Sequence, residues 1–140
     1  IISHSKEYGF IRKAYLINDS DNDINVELVD GVRNLMPSGV ELRTQQEMSN
    51  LANAYKVSEF DEKLNCSFHY LNALLMDKPQ PGENLYANVA WSHSIPSNKV
   101  SVNEKVIEKF LNGTPFKEEH KLMGKPGSYL INLLMRFQLA

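Results

Sequence analysis

The residues of this chain that could act in catalysis or bind a metal are four histidines, one cysteine and scattered carboxylates. No two histidines stand four residues apart, so the helical zinc pattern does not occur. His69 lies between Phe68 and Tyr70 without an evident polar partner, which favours a structural or an exposed histidine over a functional one. Cys66 lies in a predicted strand and has no cationic neighbour in sequence, and this predicts a buried, inert thiol.

A histidine and a carboxylate that converge in one cleft can interconvert sugar anomers. The histidines considered for such an epimerase are His69 and His93, and the carboxylates are Glu83 and Glu104. No spacing requires these residues to meet, so this hypothesis ranks last. The chain also has no phosphate loop with P-loop spacing and no serine in a G-x-S-x-G context.

Alternating carboxylates at Asp19, Asp21 and Asp23 resemble the first half of a calcium loop. Such a loop requires glycine at its sixth position and glutamate at its twelfth, where this chain has Ile24 and Asp30. A polar turn is therefore the better prediction for this segment, and the sequence indicates no metal or other cofactor.

Aromatic side chains are the residues best suited to bind a sugar, because a flat ring can lie against its C–H surface. Trp91 alternates in phase with the apolar residues of 85–91, and this favours a position in the core. Tyr86 faces the opposite side and is the better candidate for an exposed ring. The candidate ligand contacts are Tyr86, Trp91 and His93.

About five strands position these residues, and most of them have a hairpin neighbour. Two strands flank the polar turn and predict one antiparallel hairpin, and two flank a Pro/Gly-rich loop and predict a second. Apolar alternation predicts a long last strand. The predicted strands are Gly9–Ile17, Ile24–Val29, Cys66–Met76, Leu85–Trp91 and Ser128–Leu139.

Two amphipathic helices are also predicted. Capping boxes at Thr44–Glu47 and Ser101–Glu104 mark their starts, and each is followed by apolar residues at helical spacing. The first helix is expected to fray near Val57–Asp61, and Asn112–Gly113 ends the second.

The composition excludes several classes of protein. The chain has 140 residues, 42% hydrophobic and 23% charged, which is typical of one globular domain. Lys and Arg number 15 against 17 Asp and Glu, so no basic excess indicates a nucleic-acid partner. A single cysteine rules out an intramolecular disulfide. No apolar run reaches the length of a membrane span, so no membrane partner is expected.

The two ends of the sequence suggest a piece of a larger protein. The chain begins without Met, and its last residues, 133–140, stop inside an apolar run without turn residues. We therefore expect residues 1–140 to form a single sandwich-like domain of a longer polypeptide. With no signal peptide in this segment, a cytoplasmic location is favoured.

Four segments resemble the N-terminal β-supersandwich of cellobiose-phosphorylase-type proteins, which is similar to the galactose-mutarotase fold. They are Leu28–Val40, Phe10–Asn18, Ala54–Tyr55 and Val89–Ser92. The resemblance implies an antiparallel sandwich with short helices and a structural motif, with no catalytic residue in this part of the chain. The motif residues are Asp30, Gly31, Asn34, Pro37 and Gly39.

The fold class expected is therefore mainly β or α+β. The resemblance implies a non-catalytic domain that packs on a helical catalytic domain of the same chain and helps shape a sugar site. A carbohydrate would then be met through the parent protein, a glycoside hydrolase or phosphorylase, and a homodimer is a further option. The alternative is a free-standing module that binds a carbohydrate or a protein on an exposed sheet face.

Overall fold

The computed structural model describes residues 1–5, 9–73, 85–93 and 99–137. The protein is strand-rich, with 45% strand and 16% helix, in three antiparallel sheets with three short helices. This confirms the predicted mainly-β or α+β antiparallel sandwich with short helices. The chain forms two compact units, one of Ile1–Val26 with Met135–Ala140 and one of Glu27–Leu134.

The smaller unit contains a two-stranded sheet of β1 (Ile2–Ser5) and β2 (Gly9–Arg12). The predicted hairpin between 9–17 and 24–29 is therefore wrong, since β2 ends early and pairs with β1. The polar segment between them still forms local hydrogen bonds, in which Asn18 donates to the Asn22 carbonyl at 2.9 Å. The polar residues thus make the hydrogen bonds expected of a turn, but this turn does not determine which strands pair.

A three-stranded sheet contains β3 (Ile24–Leu35), β7 (Lys99–Ser101) and β9 (Gly127–Phe137) in the order β3-β9-β7. Every residue of β9 from 127 to 133 is buried, as expected for a central strand covered on both faces. The predicted last strand is confirmed up to Phe137, and residues 138–140 lie outside the described part.

Strand β3 does not end at Asp30–Gly31, where the sequence predicts a stop, but continues to Leu35. Gly31 has a φ of 150°, and a Cβ there would meet the Tyr129 carbonyl oxygen and lie 2.9 Å from the Leu130 Cα. Glycine is required because the two strands approach closely there, and not because the chain turns.

A four-stranded sheet contains β4 (Lys56–Asp61), β5 (Cys66–Leu71), β6 (Asn88–Trp91) and β8 (Lys121–Met123). Its order is β6-β5-β4-β8, and all neighbours are antiparallel. The predicted pairing of the strand that begins at Cys66 with the strand that ends at Trp91 is confirmed by the β5–β6 register. Strand β5 ends at Leu71, before the predicted Met76. Residues 74–84, which include the last part of that predicted strand and the whole Pro/Gly loop, lie outside the described part.

Strand β4 was not predicted, since its residues were assigned to the fraying end of the first helix. The segment alternates Lys56, Ser58 and Phe60 with Val57, Glu59 and Asp61, so neither face looks apolar. It pairs with strands on both sides, and these tertiary contacts override its weak local pattern.

The first predicted helix is divided into α1 (Leu42–Glu47) and α2 (Ser49–Ala54). Met48 between them has φ −132° and ψ 42°, which is not helical. The predicted capping box at Thr44 is wrong, because α1 begins at Leu42 and no side chain caps it. Ala52 is the one buried residue of the two helices.

The second predicted helix is confirmed as α3 (Lys105–Leu111), but its cap differs. Ser101 belongs to β7, and the Asn103 side chain instead accepts a hydrogen bond from the Lys105 amide at 3.1 Å. The predicted end is confirmed, since Gly113 takes a φ of 80° just after the helix.

Helix α3 covers the three-stranded sheet and builds a hydrophobic cluster with it. Val106, Phe116 and Leu130 form its buried centre, and Val29, Ile107 and Phe110 pack against them. Among the helices that the structure describes, none is long and apolar enough to cross a membrane.

Candidate functional site

The two faces of the four-stranded sheet differ sharply in their exposure to solvent. Directly opposed residues of antiparallel strands place their side chains on the same face. The register therefore assigns the buried residues Ser58, Ser67, His69 and Leu71 to the inner face. We call the outer side the open face. It has three rows, which are Trp91, Cys66 and Asp61; Val89, Phe68, Glu59 and Lys121; and Tyr70, the buried Val57 and Met123.

Apolar side chains are concentrated on the open face. Trp91 is 66% exposed and Val89 43% exposed, while Phe68 and Tyr70 are half-buried. Neighbouring strands lie about 5 Å apart, so the Trp91 ring is within reach of Phe68 across the sheet. The prediction that Trp91 belongs to the core is wrong, because β6 is an edge strand and the Trp91 side chain is exposed there.

Polar contacts fix the carboxylate in the centre of the open face. Glu59 accepts a hydrogen bond from the Tyr70 hydroxyl at 3.0 Å, and the Lys121 Nζ lies 3.5 Å from its other oxygen. Burial raises the pKa of Tyr70, and the bond to Glu59 raises it further. The phenol therefore stays protonated and holds Glu59 in place beside Phe68.

A hollow of about 400 Å³ opens next to these side chains. We call it the hollow; its lining is Glu59, Phe60, Asp61, Phe68, His120 and Lys121. The Phe60 and His120 rings lie 5.3 Å apart at an angle of 60°. Carboxylates flank this histidine on both sides, with Glu62 3.1 Å from Nδ1 and Glu118 3.6 Å from Nε2.

The buried histidine of the inner face is not available to a ligand. His69 has no exposed surface, and its Nδ1 and Nε2 lie 2.9 Å from the hydroxyls of Ser58 and Ser67. Burial lowers the pKa of His69 from its ordinary 6.5 to about 4, so the ring is neutral at physiological pH. Its structural role is confirmed, and an epimerase that pairs His69 with a carboxylate is excluded.

The sequence-predicted ligand contacts lie along and beside strand β6. Tyr86 precedes the strand and is 76% exposed, as expected of it. Trp91 ends the strand on the open face, and His93 follows two residues later with an exposed side chain. Of the three, Trp91 is the one that the sheet register brings to the open face.

The motif residues from Asp30 to Gly39 shape the backbone. Asp30 accepts a hydrogen bond from the Gly31 amide at 2.8 Å, and Pro37 is buried. Asn34 and Gly39 have positive φ angles of 53° and 84°, which both residue types tolerate. The segment thus forms the end of β3 and the bend that follows it.

Cys66 is half-exposed on the open face beside Asp61, contrary to a fully buried position. Burial raises the pKa of the Cys66 thiol, and the Asp61 charge raises it further, so the thiol is a poor nucleophile as predicted. Within the described residues, no group of three or more His, Cys, Asp and Glu side chains is placed to hold a metal ion.

Sequence analysis missed Glu59, Asp61 and His120 as site residues. The first two belong to β4, whose mixed alternation gave no strand signal. His120 follows Glu118 and Glu119 directly, and that sequence gives no sign of Phe60 on the other side of the ring. Comparison with known proteins adds no identification, because no family model and no curated protein matches this chain.

Proposed function

We propose that this chain is a non-catalytic carbohydrate-binding domain whose open face holds a glycan. The observation that carries the proposal is the solvent-exposed Trp91 on a sheet face shared with Val89 and Phe68. An aromatic ring on an otherwise firm sheet offers a flat apolar surface at low cost in conformational entropy.

The polar residues of the open face suit the hydroxyl groups of a sugar. Glu59 accepts hydrogen bonds, and Lys121 donates them from the adjoining strand. The Tyr70 bond keeps Glu59 in position before any ligand arrives, which lowers the cost of ordering it on binding. A ring placed on Trp91 and Phe68 therefore meets oriented polar groups at its edge.

The same role agrees with the domain that the family resemblance implies. A face of this kind can form one wall of a sugar site in a larger glycoside hydrolase or phosphorylase-like protein, while catalysis takes place in another domain. The purified chain should therefore show no turnover, and hydrolysis or phosphorolysis of a glycoside by the chain alone would contradict this role.

Calorimetric titration with a panel of neutral oligosaccharides tests the proposal. We expect one or more to bind, and Trp91→Ala to weaken that binding about tenfold through the loss of stacking. Leu111→Ala is the matched control, because Leu111 is 77% exposed on α3 and lies off the open face. Equal affinities for the wild type and Trp91→Ala would refute the proposed binding face.

A further inference from the structure

The open face is apolar at the Trp91 end and negatively charged at the end that borders the hollow. We propose that the hollow makes this face selective for glycans that carry free amino groups. The inference rests on the proposed function, since it names the class of glycan that the same face prefers.

The charges around the hollow are not balanced. Glu59 and Asp61 line it, and Lys121 lies 3.5 Å from Glu59 and so offsets that carboxylate first. One oxygen of Asp61 accepts hydrogen bonds from the amides of Lys63 and Leu64, which orients the carboxylate without neutralising it.

The adjoining hollow, which shares Phe60 and His120, adds further negative charge. Its lining includes Glu62 and Glu118, each beside one nitrogen of His120. Among the lining residues of the two hollows, the four carboxylates Glu59, Asp61, Glu62 and Glu118 outnumber the two basic side chains, His120 and Lys121. This excess attracts an ammonium group and repels the carboxylate of an acidic sugar.

Aromatic surface gives the hollow a second means of holding a cation. Phe68 lines it from the open face, whereas Phe60 pairs with Ser67 on the inner face and its ring lies against His120 and Tyr129. The face of the Phe68 ring attracts an ammonium group that lies against it. The hollow is open to solvent and lies beside the row that contains Phe68 and Val89. A glycan along that row can place the amino group of one residue in the hollow.

Two hexamers with the same β-1,4 backbone test the selectivity. Cellohexaose carries a hydroxyl at carbon 2, and the fully deacetylated glucosamine hexamer carries an amine there. At mildly acidic pH and low salt, we expect the amino hexamer to bind about fivefold more tightly, a preference of the size given by two exposed ion pairs. High salt should reduce the preference, because the charges involved are exposed to solvent.

Charge-neutral variants locate the effect. The double variant Glu59→Gln with Asp61→Asn keeps the acceptor oxygens that bond to Tyr70 and to the turn amides. It should bring the affinity ratio of the two hexamers close to one. Glu108→Gln removes a carboxylate from the exposed surface of α3 and should leave the ratio near five.

The outcomes separate this inference from the proposed function. Equal binding of the two hexamers, with dependence on Trp91, overturns the selectivity and leaves the carbohydrate-binding proposal standing. Binding of neither hexamer, nor of any glycan in the panel, overturns both. A lysine hexapeptide that binds as tightly as the amino hexamer, without dependence on Trp91, identifies a general cation surface and overturns the glycan preference.

Discussion

The buried His69 makes the stability of this protein depend on pH in a direction that the structure fixes. Its pKa is about 4 in the folded protein and an ordinary 6.5 in the unfolded chain. Between these values the unfolded chain binds more protons, so the free energy of unfolding rises with pH. The stability that the neutral His69 contributes is fully present above pH 6.5 and is lost progressively as the pH falls toward 4.

The size of this loss follows from the pKa difference. Each pKa unit corresponds to about 1.4 kcal/mol, so the folded state should lose about 3 kcal/mol between pH 7 and pH 4. That is a large part of the about 5–15 kcal/mol that stabilises an ordinary domain. The cause is local, because a protonated ring would be buried against the uncharged hydroxyls of Ser58 and Ser67.

Urea unfolding followed by circular dichroism at several pH values measures the effect. His69→Gln removes the titrating ring but keeps an amide that can bond to the two serines, so it should flatten the slope by about 1 kcal/mol per pH unit below pH 6.5. The control is His93→Gln, which alters an exposed histidine and should keep the wild-type slope. The folded-state pKa of His69 can also be titrated directly by NMR. An unchanged slope in His69→Gln, or a measured pKa near 6.5, would refute the reasoning.

Two further predictions concern backbone and core. Gly31→Ala should destabilise the protein by more than about 2 kcal/mol in denaturant unfolding, because the new Cβ would collide with the β9 backbone. Gly113→Ala is the control; this glycine also has a positive φ but open space around it, so the change should cost about 1 kcal/mol. Equal costs for the two variants would contradict the close approach of the strands at Gly31. Lys56→Met should raise the midpoint of thermal unfolding at neutral pH, because Lys56 is 1% exposed and burial lowers its pKa, while its ammonium group bonds to the uncharged Gln45 and Met36. A lower midpoint would show that the ammonium stabilises the fold.

The elements that the sequence predicts well are those with a strong pattern along the chain itself. Strand β9 shows a long apolar run, and α3 combines a helical stripe with a glycine stop. The β5–β6 pair is likewise bounded by turn residues. In each case local propensity and tertiary burial favour the same structure, so pattern analysis succeeds.

The elements that the sequence does not predict are those decided by distant partners. Strand β3 does not pair with the preceding strand in sequence, as the hairpin prediction requires, but with β9, which is about a hundred residues away. Strand β4 has polar residues on both faces and becomes a strand because β5 and β8 flank it. Neither choice is encoded in a window of ten or fifteen residues.

The candidate site was only partly accessible to sequence reasoning for a related reason. A two-residue alternation shows that a strand has two faces, but it does not show which face is covered. Strand β6 alternates as predicted, and the face of Trp91 proves to be the exposed one. Its partners Glu59, Asp61 and His120 come from other parts of the chain, where no motif marks them.

Strand β5 reverses the usual distribution of residues, and this reversal connects the pH prediction with the proposed function. An antiparallel sheet with one exposed face normally buries apolar side chains and exposes polar ones. Here Ser67 and His69 are buried, while Phe68 and Tyr70 lie on the outer face toward Trp91. Burying the polar pair incurs a cost that hydrogen bonds offset only while His69 is neutral. This sheet buries a polar pair at a cost in free energy and presents aromatic residues on its outer face. Such an apolar outer surface is expected of an interaction site.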